Sequence, residues 1–285
     1  MISTALVRKM RDNAMTMLMA ACALVVVLPL FSILMNLIVQ GASSLNLNFF
    51  LRLPAPVGES GGGMANAITG SLVLIAIACG VGLPIGVGAG IYLSEFSRKA
   101  FASVIRFITD VMSGIPSIIF GLFAYELLVV PMKSFSTLAG GIALGVMMIP
   151  VVTRTTEEVL RLVPVDLREA SLALGVSHWR TTLKIAVKTA LGGILTGVVV
   201  SMARVMGETA PLLFTALGNR FWGRSLVQPI AALPLQIFTY AISPFADWHR
   251  QASAGALVLL LLVLSISVIS RWTINTTVLK KVRRN

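Results

Sequence analysis

The sequence predicts an all-α fold, a polytopic membrane helix bundle with about six transmembrane helices. Of its 285 residues, 56% are hydrophobic and only 12% are charged, a composition far from that of a water-soluble domain. Nearly uncharged runs long enough to cross a bilayer, which takes about 20 residues of helix, recur along the chain. Basic residues flank these runs, so the net charge of +12 does not indicate a nucleic-acid surface.

The predicted spans follow the apolar runs in order. They lie at 15–39, 67–93, 107–130, 138–153, 189–217 and 252–270. The first follows a basic segment as in a signal peptide, but it is too long for that role and lacks a clear cleavage site, so a retained helix is predicted. A further stretch, Leu226 to Ile242, contains two prolines and two glutamines. We interpret it as a re-entrant or surface helix pair and not as a seventh span.

Lysine and arginine set the expected orientation. With both termini in the cytoplasm, seventeen of the 23 fall in inner segments, and Arg204 lies within the fifth run. The outer segments then hold five, namely Arg52, Lys133, Arg220, Arg224 and Arg250. This asymmetry follows the positive-inside rule, whereas a seventh span would move the basic C-terminus outside.

Glycine and proline punctuate the runs. Glycines recur at four-residue spacing, which predicts close helix packing; they are Gly82, Gly86 and Gly90, Gly141 and Gly145, and Gly193 and Gly197. Prolines within or at the end of the runs remove backbone hydrogen bonds and predict kinks or breaks; they are Pro84, Pro116, Pro150 and Pro211.

The longest polar segment is the inner loop 154–188. Within it, Val165 to Gly175 reads as a short amphipathic helix that begins after Pro164 and stops at glycine, and Ser177 is a plausible N-cap for a second helix. From the residues alone, a solvated connector and a docking surface for a soluble partner are equally good interpretations.

This loop resembles the "EAA" loop of type I ABC importer permeases, which is Glu-Ala-Ala, three residues, Gly, nine residues, Ile-x-Leu-Pro. Glu169, Ala170 and Gly175 match it, whereas Ser171 replaces the second alanine, and Val187 and Lys188 replace Leu-Pro. Loss of that proline leaves the second helix free to continue into the membrane. In the family this loop couples the permease to its ATPase, so the resemblance implies that role for Glu169, Ala170, Ser171 and Gly175.

Two further segments resemble the permeases of phosphate ABC importers, PstA and PstC. Residues 203–216 read Ala-Arg-Val-Met-Gly-Glu-Thr-Ala-Pro-Leu-Leu-Phe-Thr-Ala, whose continuation after proline favours the PstA group, and residues 113–123 read Ser-Gly-Ile-Pro-Ser-Ile-Ile-Phe-Gly-Leu-Phe. The resemblance covers roughly 60–275. It implies a MetI-like fold and phosphate import, with a tail, first helix and external loop at 1–65, a core at 66–271 and a basic tail at 272–285.

The resemblance also implies partners. They are a PstC-like permease, two PstB-like ATPases that bind ATP and Mg, and a PstS-like phosphate-binding protein outside; no cofactor is expected in this chain. Consistent with a separate ATPase, the sequence has no Gly-x-x-x-x-Gly-Lys-Ser/Thr loop, and it has no His-Glu-x-x-His or Gly-x-Ser-x-Gly motif. We therefore predict no catalytic residue and no metal ligand.

Arg204 and Glu208 are four residues apart, so a continuous helix would place both on one face. Charges inside a membrane are costly and normally face a partner or a water-filled path. A structural ion pair is one interpretation. We favour a substrate path formed by Arg204, Glu208 and Thr209, because guanidinium matches an oxyanion in a bidentate fork. Asp110 and Glu126 are weaker candidates.

Three alternatives stay open at this point. A permease for another oxyanion would share every feature described so far. An intramembrane enzyme would need paired catalytic carboxylates or metal ligands that face a cavity, and a membrane scaffold or receptor would need no intramembrane charges. Neither of the last two accounts for both the loop and the charged fifth run.

Overall fold

The computed structural model describes residues 4–59, 61–95 and 100–282, which form helices joined by short connections. The β-structure in these ranges is limited to two isolated β-bridges. The α-helices are α1 (Thr4–Gly41), α2 (Leu47–Leu51), α3 (Ala65–Glu95), α4 (Ala100–Gly114), α5 (Ser117–Ala124), α6 (Val130–Met132), α7 (Thr137–Arg161), α8 (Val165–Ala173), α9 (His178–Thr181), α10 (Val187–Met206), α11 (Ala210–Thr215), α12 (Leu233–Ala241) and α13 (Ala246–Val282). Single π-helical turns at Tyr125–Val129 and Thr182–Ala186 join their neighbours. Arg98, Lys99, Arg283 and Arg284, which the charge count places inside, lie outside the described residues.

Helices α3 and α7 pack directly against each other at the centre of the bundle. A Cβ at Gly82 would lie 2.7 Å from the carbonyl oxygen of Gly145, and one at Gly90 would lie 2.5 Å from Cβ of Thr156. These close approaches confirm the predicted glycine faces. Because the contacts advance in the same direction along both helices, α3 and α7 are parallel.

Parallel neighbours require the chain between them to cross the bundle once. That segment contains α4 and the helix Ser117–Met132, which meet at a bend of 105°. The span predicted at 107–130 is therefore bent, and the break at Ile115 and Pro116 agrees with the kink or break expected at Pro116. Within the described ranges, five helices are long and apolar enough to cross a membrane, and the bent pair raises the number to six, as predicted.

The fifth span is continuous from His178 to Met206, which confirms that the missing proline lets the second loop helix enter the membrane. It ends at Met206 and not at residue 217. Beyond it, the stretch Leu226 to Ile242 holds one helix, α12, of 9 residues, too short to span. The prediction of no seventh span is confirmed, but that of a helix pair was wrong.

Contacts between helix ends show which of these ends lie on the same side of the bundle. Gly41, at the end of α1, lies against Ser253 and Ala254 of α13, and Gly255 lies against Met64, just before α3. Helix α1 therefore runs towards the side on which α3 and α13 begin. The start of α1 and the far end of α13 accordingly lie on the side of the 162–177 loop.

Candidate functional site

The loop helices α8 and α9 form a compact knob. Gly175 has a φ of +77°, and its N–H donates to the Leu172 carbonyl at 2.9 Å while that of Val176 donates to the Ser171 carbonyl at 3.2 Å. These two bonds are the Schellman pattern, which confirms Gly175 as the stop of α8. Ser177 does precede α9, but its side chain makes no capping hydrogen bond.

Ser171, where the sequence departs from the family alanine, has a specific partner. Its hydroxyl lies 2.8 Å from that of Thr181 in α9, and both residues are buried. This bond fixes the two limbs of the knob to each other. Sequence reading did not find it, because the interacting residues belong to separate helices.

The outer face of the knob is apolar as well as charged. Glu169 and Ala170 are exposed, and so are three large apolar side chains on α8 and around its end, namely Leu167, Leu172 and Leu174, the last with 84% of its surface accessible. A solvated connector gains nothing from exposed leucines outside the membrane. The geometry therefore favours a docking surface over a mere connector.

We predict that Gly175→Val distorts the knob and weakens docking on it, because a β-branched residue at a φ of +77° is strained and would displace the end of α8. Transport by the assembled complex should fall by roughly 10-fold, because backbone strain of about 1–2 kcal/mol at this position opposes the conformation that docks. Copurification of the ATPase and uptake measure it. The matched control is Gly88→Val on α3, where no atom lies within 4 Å of the new Cβ. Normal docking and uptake in Gly175→Val would make the loop a connector.

The predicted path residues lie at a break between α10 and α11. Helix α10 ends at Met206, Gly207 donates its N–H to the Arg204 carbonyl at 3.3 Å, and the Thr209 carbonyl accepts from Leu212 at 3.1 Å in α11. The expectation that Arg204 and Glu208 share one helical face was wrong, since the helix ends between them. Although the structure describes both side chains, they form no ion pair.

The break lies deep in the bundle. Gly193 packs on Val159 and Gly197 on Thr155, so α10 runs antiparallel to α7, and the same register places Arg204 level with Met148, near the middle of α7. Irregular backbone at membrane depth is tolerated only where protein covers it or water reaches it. Arg204 is exposed on the surface of the single chain, and Glu208 is half-buried.

A second break packs close to the first. A Cβ at Gly121 of α5 would lie 2.7 Å from Cα of Pro211 in α11, so the bent pair α4 and α5 lies beside the segment that contains Arg204. The two segments that resemble phosphate permeases thus coincide with two adjacent helix breaks. Of the weaker candidates, Asp110 lies 3.5 Å from Arg154, and Glu126 is exposed in a π-helical turn.

In the ranges that the structure covers, no three His, Cys, Asp or Glu side chains converge as metal ligands would. The polar side chains at the α10–α11 break are one guanidinium, one carboxylate and one hydroxyl, and Ser113 and Ser117 add hydroxyls at the α4–α5 break. This set can bind and offset an anion, and it does not supply the paired carboxylates of an acid–base enzyme.

Comparison with known proteins agrees with the motifs. The family model described as the binding-protein-dependent transport system inner membrane component matches residues 82–276. The phosphate transport system permease protein PstA of Yersinia pestis is 45% identical over 93% of this chain and 90% of its own. The PstA of Haemophilus influenzae is 46% identical over 84% and 85%, and the probable PstA of Methanocaldococcus jannaschii is 35% identical over 94% and 95%.

Solved structures show the same fold. An inward-facing MetNI methionine ABC transporter matches with a TM-score of 0.60 at 20% identity, over 75% of this chain and 96% of that one. An amino acid ABC transporter with histidines matches with a TM-score of 0.57 at 17% identity, over 75% and 92%. The resemblance stated from the motifs is thereby confirmed, and the chain belongs to the family of inner membrane components of binding-protein-dependent transport systems.

Proposed function

We propose that this chain is a permease subunit of an ATP-driven importer of inorganic phosphate. The observation that carries the proposal is Arg204, which lies at a helix break near the middle of the bundle without a carboxylate partner in the described residues. Relatives named phosphate transport system permease proteins, which match most of the chain, support phosphate as the cargo.

The chemistry suits a doubly or singly charged oxyanion. Phosphate loses its hydration as it enters the bundle, and the guanidinium of Arg204 offsets that loss with two parallel hydrogen bonds. The Thr209 hydroxyl supplies a further donor, and the carboxylate of Glu208 limits the local positive charge, so that phosphate is not held too tightly to leave.

We infer that a second, PstC-like permease covers the exposed side of Arg204 and encloses one path between the two bundles. The knob of Glu169, Ala170, Ser171 and Gly175 docks on one of two PstB-like ATPases, which bind ATP and Mg, and a PstS-like protein delivers phosphate from outside. The exposed leucines of α8 support the docking, because coupling needs an apolar contact with a soluble partner.

Charge supports the orientation that we propose. The side that carries the 162–177 loop also carries the start of α1 and the far end of α13, and the basic residues concentrate in these segments. By the positive-inside rule this side faces the cytoplasm. The chain is then a multi-pass protein of a prokaryotic cytoplasmic membrane with both termini inside.

The proposal predicts that deleting this chain alone abolishes high-affinity uptake of labelled phosphate, and that re-expression restores it. Excess sulfate or molybdate should not reduce the restored uptake, because the cargo is phosphate. Equal competition by either anion would favour a permease for another oxyanion. Uptake that survives the deletion unchanged would favour a scaffold or an enzyme.

A further inference from the structure

Two buried carboxylates occupy the inner end of the α3–α7 pair. Glu95 is the last residue of α3 and Glu157 lies on α7, and their side chains are only 5% and 3% exposed. A buried carboxylate is costly unless it is paired and hydrogen-bonded. Each one is paired with an arginine from another segment, and Glu157 also binds Arg161 of its own helix at 2.6 Å.

The two arginines are arranged reciprocally. Arg168 of α8 binds the Glu95 carboxylate on α3 and donates to the Leu160 carbonyl of α7 at 2.8 Å. Arg106 of α4 binds Glu157 on α7 at 2.7 Å and donates to the Leu93 carbonyl of α3 at 3.0 Å. Each guanidinium therefore bridges a carboxylate on one helix and a carbonyl on the other.

Glu95 also holds the second limb of the knob. Its other carboxylate oxygen accepts a hydrogen bond from the Thr182 hydroxyl at 3.0 Å and lies 3.8 Å from Nε2 of His178. Since Ser171 and Thr181 join the limbs to each other, the knob is attached to α3 through both limbs. Helix α7 in turn packs against α5, α10 and α11, the helices that flank the two breaks.

We propose that Glu95 and Arg168 are positioning residues that make the coupling knob and the inner ends of α3 and α7 move as one body. A displacement of the knob by the ATPase then reaches the helix breaks through α7 and is not absorbed at the loop. This inference rests on the proposed function as an ATP-driven permease. Arg106 and Glu157 stabilise the same helix ends with the same chemistry but touch no part of the knob.

Since only the Glu95–Arg168 pair contacts the knob, variants of the two ion pairs should differ in coupling. In proteoliposomes that contain the complex with its ATPase and binding protein, uptake per ATP hydrolysed should fall at least 10-fold in Glu95→Gln and in Arg168→Gln, and the double variant should be no worse than either. The control Arg106→Gln leaves Glu157 paired with Arg161 at 2.6 Å, so it should keep the wild-type ratio of uptake to ATP hydrolysed. If Arg168→Gln does not assemble, Arg168→Lys replaces it, because lysine keeps the charge and loses one of the two bridging bonds. Uptake per ATP hydrolysed in Arg168→Lys should then lie between the values for wild type and Glu95→Gln. Equal ratios in the Glu95, Arg168 and Arg106 variants would overturn the proposal and leave two structural ion pairs.

A distance measurement separates failure of this inference from failure of the proposed function. Spin labels at the exposed positions Ile85 on α3 and Asp166 on α8 should keep one distance in the nucleotide-free and ATP-bound complexes. In Glu95→Gln the distance should change with nucleotide. A wild-type complex that imports no phosphate but keeps the distance would refute only the cargo. A nucleotide-dependent distance in the wild type would refute the rigid attachment.

Discussion

Replacing Arg204 with glutamine should reduce phosphate uptake by roughly 100-fold or more, the loss expected when a preorganised charged donor is removed from a site of low dielectric constant. Because Arg204 is exposed on the single chain and has no ion pair with Glu208, the substitution should leave insertion and assembly intact. Arg204→Lys keeps the charge without the planar fork and should retain partial uptake. Labelled phosphate uptake and membrane abundance are measured together.

Two variants control this result. Arg224→Gln removes an exposed arginine of the outer loop and should leave uptake nearly unchanged. The double variant Arg204→Gln, Glu208→Gln tests the ion-pair interpretation, since a structural pair would lose stability in each single variant and recover it in the double. We expect the double variant to be as inactive as Arg204→Gln. Normal uptake in the double variant would remove Arg204 from the path.

Replacing Gly82 with leucine should prevent α3 and α7 from packing. The new Cβ would lie 2.7 Å from the backbone oxygen of Gly145 and 2.9 Å from Cβ of Met148, and backbone cannot move aside as a flexible side chain can. Overpacking of this kind costs about 1–3 kcal/mol. Membrane abundance and the thermal midpoint of the purified complex should both fall, and uptake should fall with them.

Gly80→Leu is the matched control two residues away. No atom lies within 4 Å of a Cβ at this position, so the same change in size and helix propensity should leave abundance close to wild type. If both leucine variants accumulate equally, the central packing of α3 on α7 is not as close as the structure places it.

Hydropathy predicted where the helices run better than where they break. The run 189–217 stays apolar past Met206, and apolar character reports burial rather than continuity of the backbone. The prolines carried the signal for the breaks, because the ring of Pro211 conflicts with the carbonyl four residues earlier, at Gly207, and proline lacks the N–H donor. Pro116 acts in the same way on the bent pair.

Local sequence signals were enough to predict the two helices of the knob, because Gly175 ends α8 and Ser177 directly precedes α9. The attachment of the knob could not be predicted in this way. Glu95 and Arg168 are 73 residues apart, and only the parallel packing of α3 and α7 brings their segments together. The prediction that Arg204 and Glu208 share one helical face was wrong for a local reason. Four-residue spacing places two residues on one face only inside an unbroken helix, and this helix ends between them.

The most direct measurement is ATP-driven uptake of labelled phosphate by proteoliposomes that contain this chain with its second permease, ATPase and binding protein. We expect phosphate to accumulate only with ATP, a 100-fold excess of sulfate not to compete, and complexes that carry Arg204→Gln to hydrolyse ATP without accumulating phosphate. Accumulation by the Arg204→Gln complex at the wild-type rate, or equal competition by sulfate, would contradict this expectation.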